Sequence, residues 1–118
     1  MAANNPRENH QLFQAAVAAA DIDALLDLYE TDAVMVLPDA HLQGRAALRD
    51  FFTAWLSAPA DVSLELLQLI ERGDTALEKT RCVSADADGG QTVSFSTVVL
   101  RRQPDDRWRI CIDYPLSD

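Results

Sequence analysis

Apolar residues in the first part of the chain recur at intervals of three and four. Leu12, Phe13, Ala16, Val17 and Ala20 fall on one helical face. Ahead of them Asn5 can cap the helix and Pro6 suits its first position. Glu8 stands three residues after the cap, as in a capping box. Asp21 reads as a second cap, opening a short helix that buries Ile22, Leu25, Leu26 and Tyr29. The run Ala33-Val34-Met35-Val36-Leu37 is short, apolar and rich in β-branched residues. Pro38 closes it, which predicts a buried strand. Residues 38–44 then read as a loop. Leu48, Phe51, Phe52, Trp55 and Leu56 mark the stripe of a third helix that stops before Pro59.

The second half changes period. Strands are expected over Val62–Ile70, Thr75–Ser84, Thr92–Arg102 and Arg107–Tyr114, separated by turns at 72–74, 86–90 and 103–106. In the last turn, Pro104 and Asp105 suit a type I turn and Asp106 takes a left-handed position. Helices followed by strands predict an α+β fold with a mainly antiparallel sheet. With 118 residues, no repeat and no linker, one domain over 1–118 is expected. If Gln103 pairs with Arg107, the register sets Val99 opposite Cys111 and Thr97 opposite Asp113. One face then carries Phe95, Thr97, Val99, Cys111 and Asp113, and the other Val98, Leu100, Trp108, Ile110 and Ile112. Both faces are apolar and helices can cover only one, so a homodimer through the outer sheet face is expected.

Charge and composition narrow the function classes. There are 19 acidic against 10 basic residues, a net charge of −9. Such a chain lacks the Lys and Arg clusters that nucleic acid or an anionic membrane would need. The 48% apolar share excludes a disordered tail. No apolar run approaches the ~20 residues of a membrane helix, and residues 1–10 lack the charged-then-apolar pattern of a leader. Cys82 and Cys111 are too few for a disulfide scaffold, so free thiols and a cytoplasmic setting are expected. His10, His41, Cys82 and Cys111 show no metal-ligand spacing, and no metal is expected. The four glycines sit in turns and at a helix start, so no phosphate cradle and no cofactor is suggested.

The order of elements and four segments resemble a known family. These are Asp21-Ile22-Asp23-Ala24-Leu25-Leu26-Asp27-Leu28-Tyr29, Thr31-Asp32-Ala33-Val34-Met35-Val36-Leu37-Pro38, Gly44-Arg45-Ala46-Ala47-Leu48 and Arg107-Trp108-Arg109-Ile110-Cys111-Ile112-Asp113-Tyr114. Together they resemble the nuclear transport factor 2-like superfamily, in its small bacterial SnoaL-like and ketosteroid-isomerase-like branch. The resemblance covers nearly the whole chain. It implies a cone of three N-terminal helices on a strongly curved, cystatin-like sheet, enclosing a pocket and usually dimeric. It does not imply one activity, since the superfamily hosts isomerases, cyclases, epoxide hydrolases, dehydratases and assembly domains. Where ketosteroid isomerases carry their aspartate base this chain has Leu37. At the two oxyanion-hole positions, a tyrosine and a protonated aspartic acid in those enzymes, it has Phe13 and Phe95. The limonene epoxide hydrolases carry an Asp-Tyr pair on the last strand, matched by Asp113-Tyr114. Their Arg-x-Asp partner is replaced by Lys79-Thr80-Arg81.

Asp113 is therefore the leading catalytic candidate. A carboxylate after Ile110-Cys111-Ile112 must be paired or perturbed, either as an acid or base in an apolar pocket or as a structural partner of Lys79 or Arg81. His41, at the implied mouth of the pocket, is a second acid–base candidate, against the plain reading of a solvated loop histidine. His10 is expected on the polar side of the first helix. Glu78 can line the pocket or form an ion pair on the dimer face; alternation allows only one of Glu78 and Lys79 to point inward. Phe13, Val17, Met35, Leu37, Phe51, Trp55, Phe95 and Val99 are candidate walls or ordinary core, with Arg81 and Cys111 as further lining candidates. The reading is a small apolar-ligand-binding protein performing cofactor-independent acid–base chemistry of isomerase, cyclase or hydrolase type. The alternative is a non-catalytic dimerisation or ligand-sensing module with a vestigial pocket.

Overall fold

In a computed structural model of the chain, which describes residues 2–57, 61–85 and 88–117 with side chains to residue 115, two side-chain caps set the first helices. Asn5 Oδ1 accepts from the Glu8 amide at 2.8 Å and opens α1 (Pro6–Ala19). Glu8 Oε1 reaches back to the amide of Asn4 rather than that of the cap, closing the box one residue early. Ala20, left-handed at φ 52°, ends the helix. Asp21 then caps α2 (Ile22–Leu26) by accepting from the Ala24 amide.

The remaining elements are β1 (Tyr29–Val36), β2 (His41–Gln43), α3 (Arg45–Ser57), β3 (Asp61–Arg72), β4 (Thr75–Ala85), β5 (Gln91–Arg102) and β6 (Trp108–Ser117). Pro59 and residues 86 and 87 of an expected turn lie outside the described residues. All six strands form one sheet in the order β2-β1-β6-β5-β4-β3, antiparallel except for β1 with β6. The α+β architecture of three helices on a curved, mainly antiparallel sheet is as expected.

Besides shifts of one to three residues at strand ends, two elements depart from the expectation. β1 begins at Tyr29, not Ala33, because its parallel pairing with β6 starts at Tyr29 opposite Ile110, and that long-range ladder outweighs the local helical spacing. β2 forms inside the expected loop, since three residues opposite Val34–Val36 are too few to show a period.

The helices cover one face of the sheet. α1 lies over β3 and β6, and α3 over β1 and β2. Leu25, Leu26, Leu48, Phe52 and Leu100 are fully buried between the layers, each worth about 1.5–3 kcal/mol of apolar burial. Phe52 is the centre of an aromatic cluster with Phe13, Tyr29, Phe51 and Trp55, at centroid distances of 5.4–6.3 Å.

The expected register of the last hairpin holds near its turn and then fails. Gln103 bonds Arg107, Asp106 is left-handed at φ 64°, and Leu100 faces Ile110. Beyond that a β-bulge intervenes. Val99 pairs with Ile112, Val98 with Asp113 and Thr97 with Tyr114. Cys111 is the extra residue, its thiol directed at the Val99 carbonyl at 3.3 Å. One inserted residue exchanges the faces of everything after it. Asp113 moves to the inner face with Val98, Leu100 and Ile110, and Ile112 moves outward.

No helix among the described residues is long and apolar enough to cross a membrane. Both cysteines are free, and β5 separates their strands.

Candidate functional site

The bulge completes a row of side chains across the inner face. Glu78 on β4 pairs with Val98 on β5, Val98 with Asp113 on β6, and Asp113 with Met35 on β1. Two carboxylates thus stand on strands separated by one other, with backbones roughly 10 Å apart, and the small Val98 between them.

Both are buried, each 5% exposed. Asp113 Oδ2 accepts from the hydroxyl of Tyr29 at 2.5 Å. Burial raises the Asp113 carboxyl to about 6; the Tyr29 bond works against that rise, and the nearby Glu78 charge adds to it. Burial, and then the Asp113 charge, hold the Tyr29 phenol well above its ordinary value, so Tyr29 is the donor. Glu78 Oε1 lies 3.3 Å from His10 Nδ1 and accepts from Thr80 Oγ1 at 3.2 Å. A carboxylate only accepts, so the proton in the first of these bonds sits on His10 Nδ1. Glu78 Oε2 is buried with no hydrogen-bond partner.

Asp113, Glu78, His10 and Thr80 form the polar end of a cavity of about 300 Å³ between the helices and the sheet, with Tyr29 behind Asp113. Phe13, Phe51, Phe52 and Trp55 supply its helical wall, with Met35 and Leu37 beside them. Hydroxyls of Thr80, Ser84, Thr92, Ser94 and Ser96 line the sheet side. Among the described residues no Lys or Arg lines it. A second concavity of about 500 Å³ lies at the outer end of β1 and β5, among Arg45, Arg101, Arg102 and Arg109. Its arginines are largely countered: Arg101 holds the buried Glu30 through two bonds of 2.6 and 2.9 Å, Arg102 pairs with Asp74, and Arg109 with Asp105.

Of the candidates read from sequence, the cavity brings together Asp113, Glu78, Phe13, Met35, Leu37, Phe51 and Trp55. Val17 is core beneath α1 and does not line it. His41 sits exposed on the edge strand β2, away from the cavity. Arg81 and Phe95 are corrected to the opposite face: alternation from the inward Glu78 and Val98 turns both outward, as it does Val99. Arg81 there lies 4.0 Å from Glu65, and the Lys79 ammonium sits 5.7 Å from the centre of the Phe95 ring. Neither base pairs with Asp113, and Glu78 is not on an outer face. Cys111 is taken up by the bulge. At the level of Phe95 the cavity meets Ser94 and Ser96 instead.

Two members were missed. Tyr29 looked like helical core, and its long-range partner was invisible in sequence. The helical pattern places His10 on the polar side, yet it is 7% exposed. Its position three residues before Phe13 and seven before Val17 was the available signal.

The fold is shared with known proteins. A family model described as SnoaL-like domain matches residues 10–110. A structure from Thiobacillus denitrificans named as a calcium/calmodulin-dependent protein kinase type II association domain is 21% identical. It aligns over 99% of both chains with a TM-score of 0.83. A structure from Shewanella frigidimarina named as a ketosteroid isomerase is 14% identical, over 91% of this chain and 90% of that one, at 0.79. An NTF2-like protein with a cystatin-like fold from Novosphingobium aromaticivorans is 22% identical, over 93% and 77%, at 0.78. At such identities these structures share the fold alone. Among curated proteins none matches the chain.

Proposed function

The chain belongs to the SnoaL-like domain family, and on that premise we propose that it binds a small, mostly apolar organic molecule and acts on it by acid–base chemistry. One observation carries this: Asp113 is buried at the polar end of an aromatic-walled cavity, bonded to Tyr29, with its carboxyl raised to about 6. A group poised near the working pH both takes and returns a proton efficiently. As carboxylate, Asp113 removes a proton from the ligand, while Tyr29 keeps it oriented. As the acid, it returns that proton at a second atom, or to a leaving oxygen. Isomerisation and cyclisation fit this cycle directly; hydrolysis fits it when the proton is taken from an attacking water instead of the ligand and delivered to the leaving oxygen. Neighbours named as a ketosteroid isomerase and as an NTF2-like dehydratase support the class of reaction. The decisive experiment is a carbon NMR titration of the Asp113 carboxyl. A midpoint near pH 6 supports the role, and one near 4, the ordinary aspartate value, overturns it.

A second reading rests on the outer face. Leu77, Val99 and Ile112 form one cross-strand row there, with Leu77 39% and Ile112 43% exposed. We propose that a second copy of the chain covers this row, in a cytoplasmic setting that suits two free thiols. The likeness to a structure named as an association domain favours assembly as a role in its own right.

A further inference from the structure

The acid–base reading leaves Glu78 without a task. Its residue is 5% exposed and lines the cavity, yet Oε2 is the one buried side-chain oxygen or nitrogen among the described residues without a hydrogen-bond partner. His10 and Thr80 hold the other oxygen, so the carboxylate is fixed on one side and has an acceptor to spare on the other. Leaving such an acceptor buried and unmet is unfavourable.

The surroundings indicate what would meet it. Glu78 and Asp113 share one low-dielectric space whose one basic side chain among the described residues is His10, already engaged with Glu78 Oε1; no Lys or Arg lines its walls. Asp113 is met by a neutral phenol, which does not balance its charge. Facing both are Phe13, Phe51 and Trp55, and aromatic rings attract organic cations. Anions would be repelled by two carboxylates. A bare metal ion would lack ligands, since no group of three or more His, Cys, Asp or Glu among the described residues could hold one.

We propose that the cavity takes a small organic amine, its protonated nitrogen seated against Glu78 and its apolar body against the aromatic wall. The inference rests on the cavity's being the binding site and adds the ligand's charge. The volume, roughly ten waters' worth at ~30 Å³ each, suits a molecule of about one or two rings. His10 is a positioning residue in this arrangement, and the chain's net charge of −9 favours encounter with cations.

The test compares phenethylamine, phenethyl alcohol and phenylpropionate by calorimetry on the intact chain, in roughly 0.15 M salt to screen the general field. The expected result is saturable one-to-one binding of the amine, about tenfold tighter than the alcohol, with no binding of the carboxylate. In Glu78→Gln the amine should lose its roughly tenfold advantage over the alcohol, both measured on that variant. Equal affinity for amine and alcohol, an advantage that survives Glu78→Gln, or no binding of any probe overturns the amine assignment. Should Glu78→Gln not fold, the wild-type comparison decides alone. The Asp113 titration needs no ligand, so it judges the acid–base reading separately.

Discussion

The hydroxyl of Tyr29, the first residue of β1, donates to Asp113 Oδ2 at 2.5 Å across 84 positions of sequence. The bond fixes the orientation of a buried carboxyl and ties together β1 and β6, the one parallel strand pair among the described residues. It exists because the bulge at Cys111 turns Asp113 inward.

Asp113 should make stability depend on pH. The folded carboxyl keeps its proton up to about pH 6, the unfolded one only to about 4. Between these values the folded state binds more protons. Stability contributed by the protonated group therefore falls as pH rises through that window and stays lower above it. Asp113→Asn should raise stability by roughly 1–3 kcal/mol at pH 7.5 and leave it nearly unchanged at pH ~3.5. Urea unfolding at the two pH values measures this; an equal change at both would show that burial of charge is not the cause.

Tyr29→Phe removes the one contact that counteracts the rise in the Asp113 carboxyl. Its NMR titration midpoint should move further up, above the wild-type value near 6. An unmoved midpoint would mean that the hydroxyl does not act on the ionised form.

Glu30 behaves oppositely. It is 8% exposed and accepts from Arg101 and Gln103, and the Arg101 bonds hold its carboxyl below the ordinary value. Its contribution is present above the unfolded pKa and is lost as pH falls through the lowered folded one. Arg101→Ala should cost about 1–3 kcal/mol, the range for a buried acceptor losing charged donors, toward the lower end because the guanidinium is half exposed. Denaturant midpoints at pH 7 and pH 3 should show the loss at the first and little of it at the second.

Asp106 occupies the left-handed region without being glycine, at φ 64°. Asp106→Gly should stabilise the hairpin by roughly 0.5–1 kcal/mol, because relief of backbone strain outweighs the added freedom of the unfolded chain. A thermal melt higher by a few degrees is the expected readout. A lower melt would show that the aspartate holds the turn by its side chain.

The outer-face row predicts a dimer. Sedimentation at micromolar concentration should give twice the monomer mass, and Ile112→Lys should give a monomer with its fold intact by circular dichroism. A wild-type monomer would remove this interface.

Local information was enough for the three helices, the four long strands of the second half and the last turn. Asn5, Pro6 and Asp21 act on their immediate neighbours, and Pro104 to Asp106 form a turn by their own backbone preferences. The resemblance carried by residues 21–29, 31–38, 44–48 and 107–114 also pointed to the family. What the sequence by itself could not determine is which way the last strand faces. Period-two alternation correctly separates inward from outward residues only until one residue is inserted, and the bulge at Cys111 has no local signature. Ile112, Asp113 and Tyr114 just beyond it changed sides, bringing Asp113 into the cavity. On β4 and β5 it was the pairing of strands that chose, taking Glu78 inward and Arg81 and Phe95 out. Tyr29 and His10 joined the site through contacts 84 and 68 residues away. Caps, turns and periodicity are local energies written in adjacent residues. Register, facing and buried pairing are set by closing the sheet against the helices, and only the tertiary structure decided them.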